Sequence, residues 1–207
     1  MIAGTAAVSS IRSSTRIALA EALALPTGLL TAGLLTRKLG PSAYGVLAVV
    51  LTIATSIEWT LATLLARATV LLVADSENRV KSAEGFLRMH ILIGLMAGLS
   101  VFFSAPAIAR ALTTPESEYP LRLASLEITL FLSCAGYRAA LIGLGKFDTR
   151  AAAAAARWLT RLALIYVLVL SGFGLTGAVI GSAGGYAAEL LALSHRQAEA
   201  IVGPVAE

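Results

Sequence analysis

The chain has few charged residues and a single cysteine, and both shortages exclude whole classes of protein. Charged residues make up 14% of its 207 residues, whereas soluble domains average about 25%. With 57% hydrophobic residues and a mean hydropathy of +0.83, the composition is too apolar for a water-soluble enzyme. The lone Cys134 allows neither an intrachain disulfide nor a cysteine metal cluster. We therefore expect no catalytic residues, no metal site and no cofactor.

The charges that are present gather in short stretches and leave long apolar runs between them. A hydrocarbon core of about 30 Å is crossed by about 20 helical residues. The sequence therefore predicts an all-α, polytopic membrane protein, with about six transmembrane helices in one lobe that covers residues 1–207. The predicted spans are 17–36, 46–73, 86–109, 121–142, 152–170 and 175–194.

The basic residues predict the orientation of these spans. The net charge of +4 is explained by lysines and arginines in cytoplasmic loops, so it is not taken as a signal for nucleic acid. With the amino terminus inside, roughly eight basic residues face the cytoplasm and roughly four face outwards. This arrangement puts both termini and the loops near Asn78 and Asp148 in the cytoplasm, and Ser42, Glu116 and Phe173 outside.

The amino-terminal region resembles a signal peptide only superficially. Glu21 and Pro26 interrupt its apolar stretch, and no clear small-residue cleavage site follows. The stretch is also long enough to cross a bilayer, so we interpret it as the first membrane helix. Pro26 would allow that helix to bend.

Four arginines lie within the predicted spans and away from the two or three residues at each end: Arg67, Arg138, Arg157 and Arg161. An ionised group at the centre of a membrane helix costs about 2.5 to 3.5 kcal/mol, so such residues usually face a bundle interior or a wet cavity. If the fifth span ends at Ser171, Arg161 lies about 15 Å below the outer boundary, too deep for easy snorkelling. The four arginines are candidate substrate-binding residues of a cavity.

Arg157 and Arg161 are four residues apart on one helix face, where like charges repel unless an anion or a facing carboxylate neutralises them. An alternative is that residues 151–161 form an interfacial helix whose arginines lie at the lipid headgroups. For Arg67 and Arg138, near the inner helix ends, snorkelling to the headgroups is an equal or better explanation.

Three carboxylates are also embedded in the spans: Glu58, Glu127 and Glu189. Each could pair with an arginine of a neighbouring helix, bind a coupling proton or contact a ligand. Glu127 shares a helix face with Arg138, about three turns further along. Glu58 stands opposite a polar stripe, and the sequence does not say which of the two faces a cavity. The stripe consists of Thr52, Ser56, Thr60, Thr63 and Arg67.

Two apparent motifs are rejected. A match to G-x-G-x-x-G at residues 172–177 joins two membrane helices and follows no βαβ strand. Ser182 and His195 do not match a serine intramembrane protease, because no glycine directly follows the serine and His195 lies at a helix end. Glycines at four-residue spacing instead indicate close helix packing. They are Gly94 and Gly98 in the third span and Gly177, Gly181 and Gly185 in the sixth.

The most specific pattern begins after the first predicted helix. Residues 37–45 resemble the R-x-L-G-P-x-x-Y-G signature of the polysaccharide transporter family, which contains oligosaccharide flippases related to multidrug and toxin extruders. The glycine-rich segments 143–147 and 174–178 and the arginine-bearing fifth helix also resemble the family pattern. The resemblance runs from Leu29 to roughly Leu193.

This resemblance implies one six-helix lobe of a transporter that normally has two. It implies that basic residues bind a polyprenyl-pyrophosphate-linked oligosaccharide among the lipids of a bacterial cytoplasmic membrane. A single lobe is expected to be truncated, or to assemble with a second lobe or a second copy of itself, and to be inactive alone. Two other functions stay open: a cation-coupled drug extruder, and a non-catalytic membrane subunit or relic.

Overall fold

The structure, a computed structural model, describes the backbone of residues 15–202 and the side chains as far as Ser194. The serine- and threonine-rich lead with Arg12 and the side chains of His195 and Arg196 lie outside the described residues. The described elements are all helical, which confirms the all-α prediction. In chain order they are α1 (residues 15–22), α2 (Ala24–Ala74), α3 (Arg79–Ala111), a 3-10 turn (Pro115–Ser117), α4 (Glu118–Gly143), α5 (Phe147–Leu168), a π-helical turn (Val169–Phe173) and α6 (Gly174–Val202).

The number of separate apolar helices differs from the prediction. Four helical segments of the described chain are long and apolar enough to cross a membrane, not six. The first, Thr15–Ala74, has 60 residues and the last, Phe147–Ser194, has 48, so each contains two of the predicted spans. The helices break where expected, near Gly40 and between residues 171 and 174, but the gaps are shorter than predicted. The backbone leaves the helical conformation only at Gly40 in the first break and at Gly172 and Gly174 in the second.

Gly40 divides α2 into a first arm, residues 24–39, and a second arm, residues 41–74. Its φ of 75° and ψ of 171° lie in a region that glycine enters at no steric cost. Pro41 follows, where its fixed φ suits the first turn of a helix. Leu35 of the first arm and Leu47 of the second are buried in the same apolar core, so the chain folds back at Gly40.

α5 and α6 form a second pair of closely packed segments, joined through Gly172 with φ 93° and Gly174 with φ 53°. A Cβ added at Gly181 would lie 2.6 Å from the Ile165 side chain, and one at Gly185 would lie 2.7 Å from the Arg161 Cβ. Residue numbers fall along α5 as they rise along α6, so the two helices are antiparallel. Their glycines let the backbones approach closely.

α4 is the central helix of the bundle. It packs against α2, α3 and α6, and it is buried along most of its length. The other long helices keep large apolar side chains exposed, including Leu64 on α2, Phe103 on α3, Val167 on α5 and Leu191 on α6. Long apolar helices with an apolar exterior indicate a membrane location.

Candidate functional site

A chain of buried charges connects α1, α4, α5 and α6. Arg157 of α5, whose side chain is 6% exposed, lies 2.8 Å from an oxygen of Glu21 and 3.1 Å from an oxygen of Glu189. Arg138 of α4 approaches the other oxygen of Glu189 at 3.5 Å. The fully buried Glu189 of α6 therefore faces two arginines, and Arg157 faces two carboxylates.

The contacts on Glu189 are close in distance but poorly aligned as hydrogen bonds. The Nε atoms of Arg138 and Arg157 and both Glu189 oxygens have no hydrogen-bond partner in the described part of the chain. The opposite charges compensate one another, but these nitrogen and oxygen atoms keep unused capacity to form hydrogen bonds.

Glu21 receives three hydrogen bonds from α5. Arg150 Nη2 donates to one carboxylate oxygen at 2.7 Å, and Arg157 Nη2 and Trp158 Nε1 donate to the other at 2.8 and 3.1 Å. Arg16 adds an exposed ion pair with Asp148 at 2.7 Å. These contacts attach α1 to the first turns of α5.

A second branch of the network ends at Arg161. Its Nε donates to Ser182 Oγ at 3.2 Å, and the same hydroxyl donates to Glu127 Oε1 at 2.5 Å. A serine hydroxyl can donate and accept at the same time, so Ser182 connects the arginine of α5 to the buried carboxylate of α4. The other oxygen of Glu127 has no hydrogen-bond partner among the described residues.

Arg161 also lines a cavity of about 160 Å³ between the two arms of α2 and α5. Among the described residues it is the one charged member of the lining, which is otherwise mostly apolar. An apolar pocket with one guanidinium group suits an amphipathic anion. The remaining lining residues are Gly28, Thr31, Ala32, Leu35, Tyr44, Leu47, Ala48 and Leu51.

Glu58 and Arg67 lie on opposite sides of the second arm of α2. Glu58 is 1% exposed inside the bundle, and its Oε1 has no hydrogen-bond partner in the described chain. Arg67 is exposed and joins none of the ion pairs described above. Thr52 and Ser56 are exposed and donate to carbonyls of their own helix. The carboxylate thus faces the interior, and the polar stripe faces outwards.

Aromatic rings cover three guanidinium groups of the network. The Arg157 guanidinium lies 4.2 Å from the centroid of the Trp158 ring, and that of Arg138 lies 5.0 Å from the Phe131 ring. Arg161 lies 5.6 Å from the Trp158 ring. Cation–π attraction therefore supplements the ion pairs where water is scarce.

Four members of this network were not predicted from the sequence: Glu21, Arg150, Trp158 and Ser182. Glu21 was considered only as an interruption of an apolar stretch, Arg150 as a charge of a cytoplasmic loop, and Ser182 as part of a rejected motif. For Glu21 a signal exists, because the insertion cost that singles out Glu58 applies equally to a carboxylate in the first span. Ser182 is one of many small polar residues, and nothing in the sequence distinguishes it.

The fold and the site together define an all-α membrane protein with an apolar exterior, a charged interior and a cavity that contains one arginine. Residues 34–193 match the family described as polysaccharide biosynthesis protein, and the chain belongs to this family. The match confirms the resemblance drawn from residues 37–45. Members of this flippase-type family are transporters, which fits the prediction that the chain is not an enzyme. No curated protein and no solved structure gives a significant match.

Proposed function

We propose that this chain forms a six-crossing lobe of a flippase that moves lipid-linked oligosaccharide across a bacterial cytoplasmic membrane. Membership of the polysaccharide biosynthesis family supports this function in general terms. The observation that carries the proposal is the position of Arg161, a charged residue in a cavity whose other described lining residues are mostly apolar.

Six crossings follow if each of the two longest helices crosses the bilayer twice. A straight helix of 60 residues would be about 90 Å long, about three times the thickness of the hydrocarbon core. The ion pair of Arg16 with Asp148 joins two segments that we predict on the cytoplasmic side. Gly174 lies close to Leu39, since a Cβ added to Gly174 would be 3.8 Å from the Leu39 side chain. Both residues belong to segments that we predict outside.

The lining of the cavity is complementary to a polyprenyl pyrophosphate. Its apolar wall suits the first isoprene units, and the planar guanidinium of Arg161 can bind a phosphate group with two hydrogen bonds. Ser182 bonds the Nε of Arg161, while within the described chain its two terminal nitrogens make no hydrogen bond. Ser182 and Glu127 would therefore orient the guanidinium, with both terminal nitrogens directed to the ligand.

A second lobe would supply the opposite wall of the translocation path. Alternating access moves one repeat against another around a site at their interface. We propose that the partner is a second six-helix lobe or a second copy of this chain, and that one lobe alone does not transport.

Deletion of the gene in the source bacterium tests the proposal. We expect loss of a surface polysaccharide and accumulation of its lipid-linked precursor at the cytoplasmic face, both restored by the intact gene. An unchanged surface polysaccharide, with no accumulated precursor, would refute the flippase function.

A second candidate is a cation-coupled drug extruder. Glu58 favours it, because this buried carboxylate has an oxygen with no hydrogen-bond partner in the described chain and could bind a coupling cation. In that case the deletion would raise drug sensitivity and leave the surface polysaccharide intact.

A further inference from the structure

The donors at the beginning of α5 have more hydrogen-bonding capacity than the protein satisfies. Arg150, Arg157 and Trp158 all donate to Glu21. The Nε and Nη1 of Arg150 are buried and have no hydrogen-bond partner in the described chain, whereas the Nε of Arg157 faces Glu189 at 3.1 Å. An unpaired buried donor is costly, so two on Arg150 beside the donors to Glu21 indicate room for an anion with more acceptor oxygens than a carboxylate has.

Glu21 is the most easily displaced member of this group. Its side chain is 33% exposed, whereas those of Arg150 and Arg157 are 10% and 6% exposed. It belongs to α1, which runs into α2 through Leu23, a residue with helical φ and ψ, so only the Glu21 side chain has to move. The Glu21 carboxylate can therefore leave without disturbing α5, and Arg157 keeps its contact with Glu189.

We infer that Arg150, Arg157 and Trp158 form a phosphate- or diphosphate-binding subsite that Glu21 occupies in this conformation and from which the ligand displaces it. Two guanidinium groups and an indole N–H converge on one point, which suits the several oxygens of a diphosphate better than the two of a carboxylate. The identity of the natural ligand of this subsite rests on the proposed flippase function. Arg161 lies one turn further along α5, so this subsite would receive the phosphate before the cavity does.

Glu21 acts in this scheme as a tethered competitor. The apparent dissociation constant of a ligand rises by the inverse of the fraction of protein in which the site is free. If Glu21 holds the donors in about 90–99% of molecules, replacing it with glutamine should tighten phosphate binding by about 10- to 100-fold.

The test uses the full chain in phosphatidylcholine nanodiscs, titrated with inorganic pyrophosphate. The sequence has two tryptophans, so Trp59→Phe leaves Trp158 as the reporter of the subsite. We expect Glu21→Gln to bind pyrophosphate at least tenfold more tightly than the parent chain, with a change in Trp158 emission and a larger rise in melting temperature. Adding Arg150→Ala to Glu21→Gln should abolish the gain.

Glu118→Gln is the matched control, because it removes a carboxylate that pairs with Arg122 at 2.8 Å outside the network. It should leave pyrophosphate binding unchanged. If Glu21→Gln does not insert, Glu21→Asp shortens the same side chain and should also tighten binding.

A second arm replaces part of the phosphatidylcholine with phosphatidic acid and omits pyrophosphate. A change in Trp158 emission with phosphatidic acid alone assigns the subsite to a lipid-borne phosphate, and a change with pyrophosphate alone assigns it to a soluble one. If the Glu21 variants bind neither ligand more tightly than the parent, or if Glu118→Gln has the same effect, the inference is wrong. If Glu21 controls binding but the chain together with its second lobe moves no lipid-linked oligosaccharide, the subsite stands and the flippase function is refuted.

Discussion

At the scale of single residues, the buried charges are organised around Arg157 and Glu189. Their ion pair has almost no exposure to solvent, so neither charge has water as a substitute partner. Removing one partner of a buried pair is costly because it strands the other charge, whereas replacing both with apolar residues is often tolerated.

Glu189→Ala should therefore destabilise the protein strongly, by about 3–5 kcal/mol, because Arg138 and Arg157 both lose their shared carboxylate. Thermal unfolding in detergent measures the effect, and a double-mutant cycle with Arg157→Met isolates the coupling. The double variant should be more stable than Glu189→Ala alone. Equal losses for Glu189→Ala and for the exposed Glu118→Ala would show that the buried network does not stabilise the fold.

The insertion cost of a charge identifies candidate site residues from sequence but not their partners. That cost singles out Arg138, Arg157, Arg161, Glu127 and Glu189, which lie in the network. It also singles out Glu58, which is buried but makes none of the network's contacts in the described chain. Pairing depends on how each helix is rotated and which helix lies beside it, and no local pattern encodes either. Arg67 shows the limit, since the same criterion selected it and it lies on the exposed side of α2.

At the scale of helices, glycines set how closely neighbouring segments approach. A Cβ on Gly181 would lie 2.6 Å from the side chain and 2.8 Å from the backbone nitrogen of Ile165, and a backbone atom cannot move aside cheaply. Gly28, on the first arm of α2, has no atom within 4 Å of an added Cβ. The two glycines provide a matched comparison of crowded and open positions.

Gly181→Val should lower stability by about 1–3 kcal/mol, because overpacking forces α5 and α6 apart. Gly28→Ala should be neutral or slightly stabilising, since alanine favours a helix and the position has space. Melting temperatures of the two purified variants check this difference. A Gly181→Val protein as stable as Gly28→Ala would contradict the observed α5–α6 packing.

Helix boundaries were only partly predictable from sequence. The gaps predicted between residues 73 and 86, 109 and 121, and 142 and 152 do interrupt the helices. The predicted loops at Gly40 and at Ser171–Gly174 are instead sharp connections, because a glycine with positive φ reverses the chain without several loop residues. Composition indicates where a chain turns, but it does not reveal how many residues the turn needs.

At the scale of the whole molecule, six crossings with the amino terminus inside predict a topology. We expect Asn78 and Asp148 in the cytoplasm and Ser42, Glu116 and Phe173 outside. Single cysteines at these positions on a Cys134→Ser background should react with an impermeant maleimide only from the predicted side. Labelling of residue 78 from outside intact cells would contradict the orientation. Labelling of residues 42 and 78 from the same side would show that the 60-residue segment does not cross the membrane a second time between them.

The central claim is that Arg161 binds the phosphate of a lipid-linked oligosaccharide during transport. The most direct measurement is the movement of a fluorescent polyprenyl-pyrophosphate-linked oligosaccharide between leaflets of proteoliposomes that contain the chain with its second lobe. At equal membrane abundance, Arg161→Ala should abolish movement and Arg161→Lys should restore it in part, because lysine keeps the charge but loses the planar fork. Arg67→Ala, the exposed control, should change little. Movement by Arg161→Ala at the wild-type rate would contradict the claim.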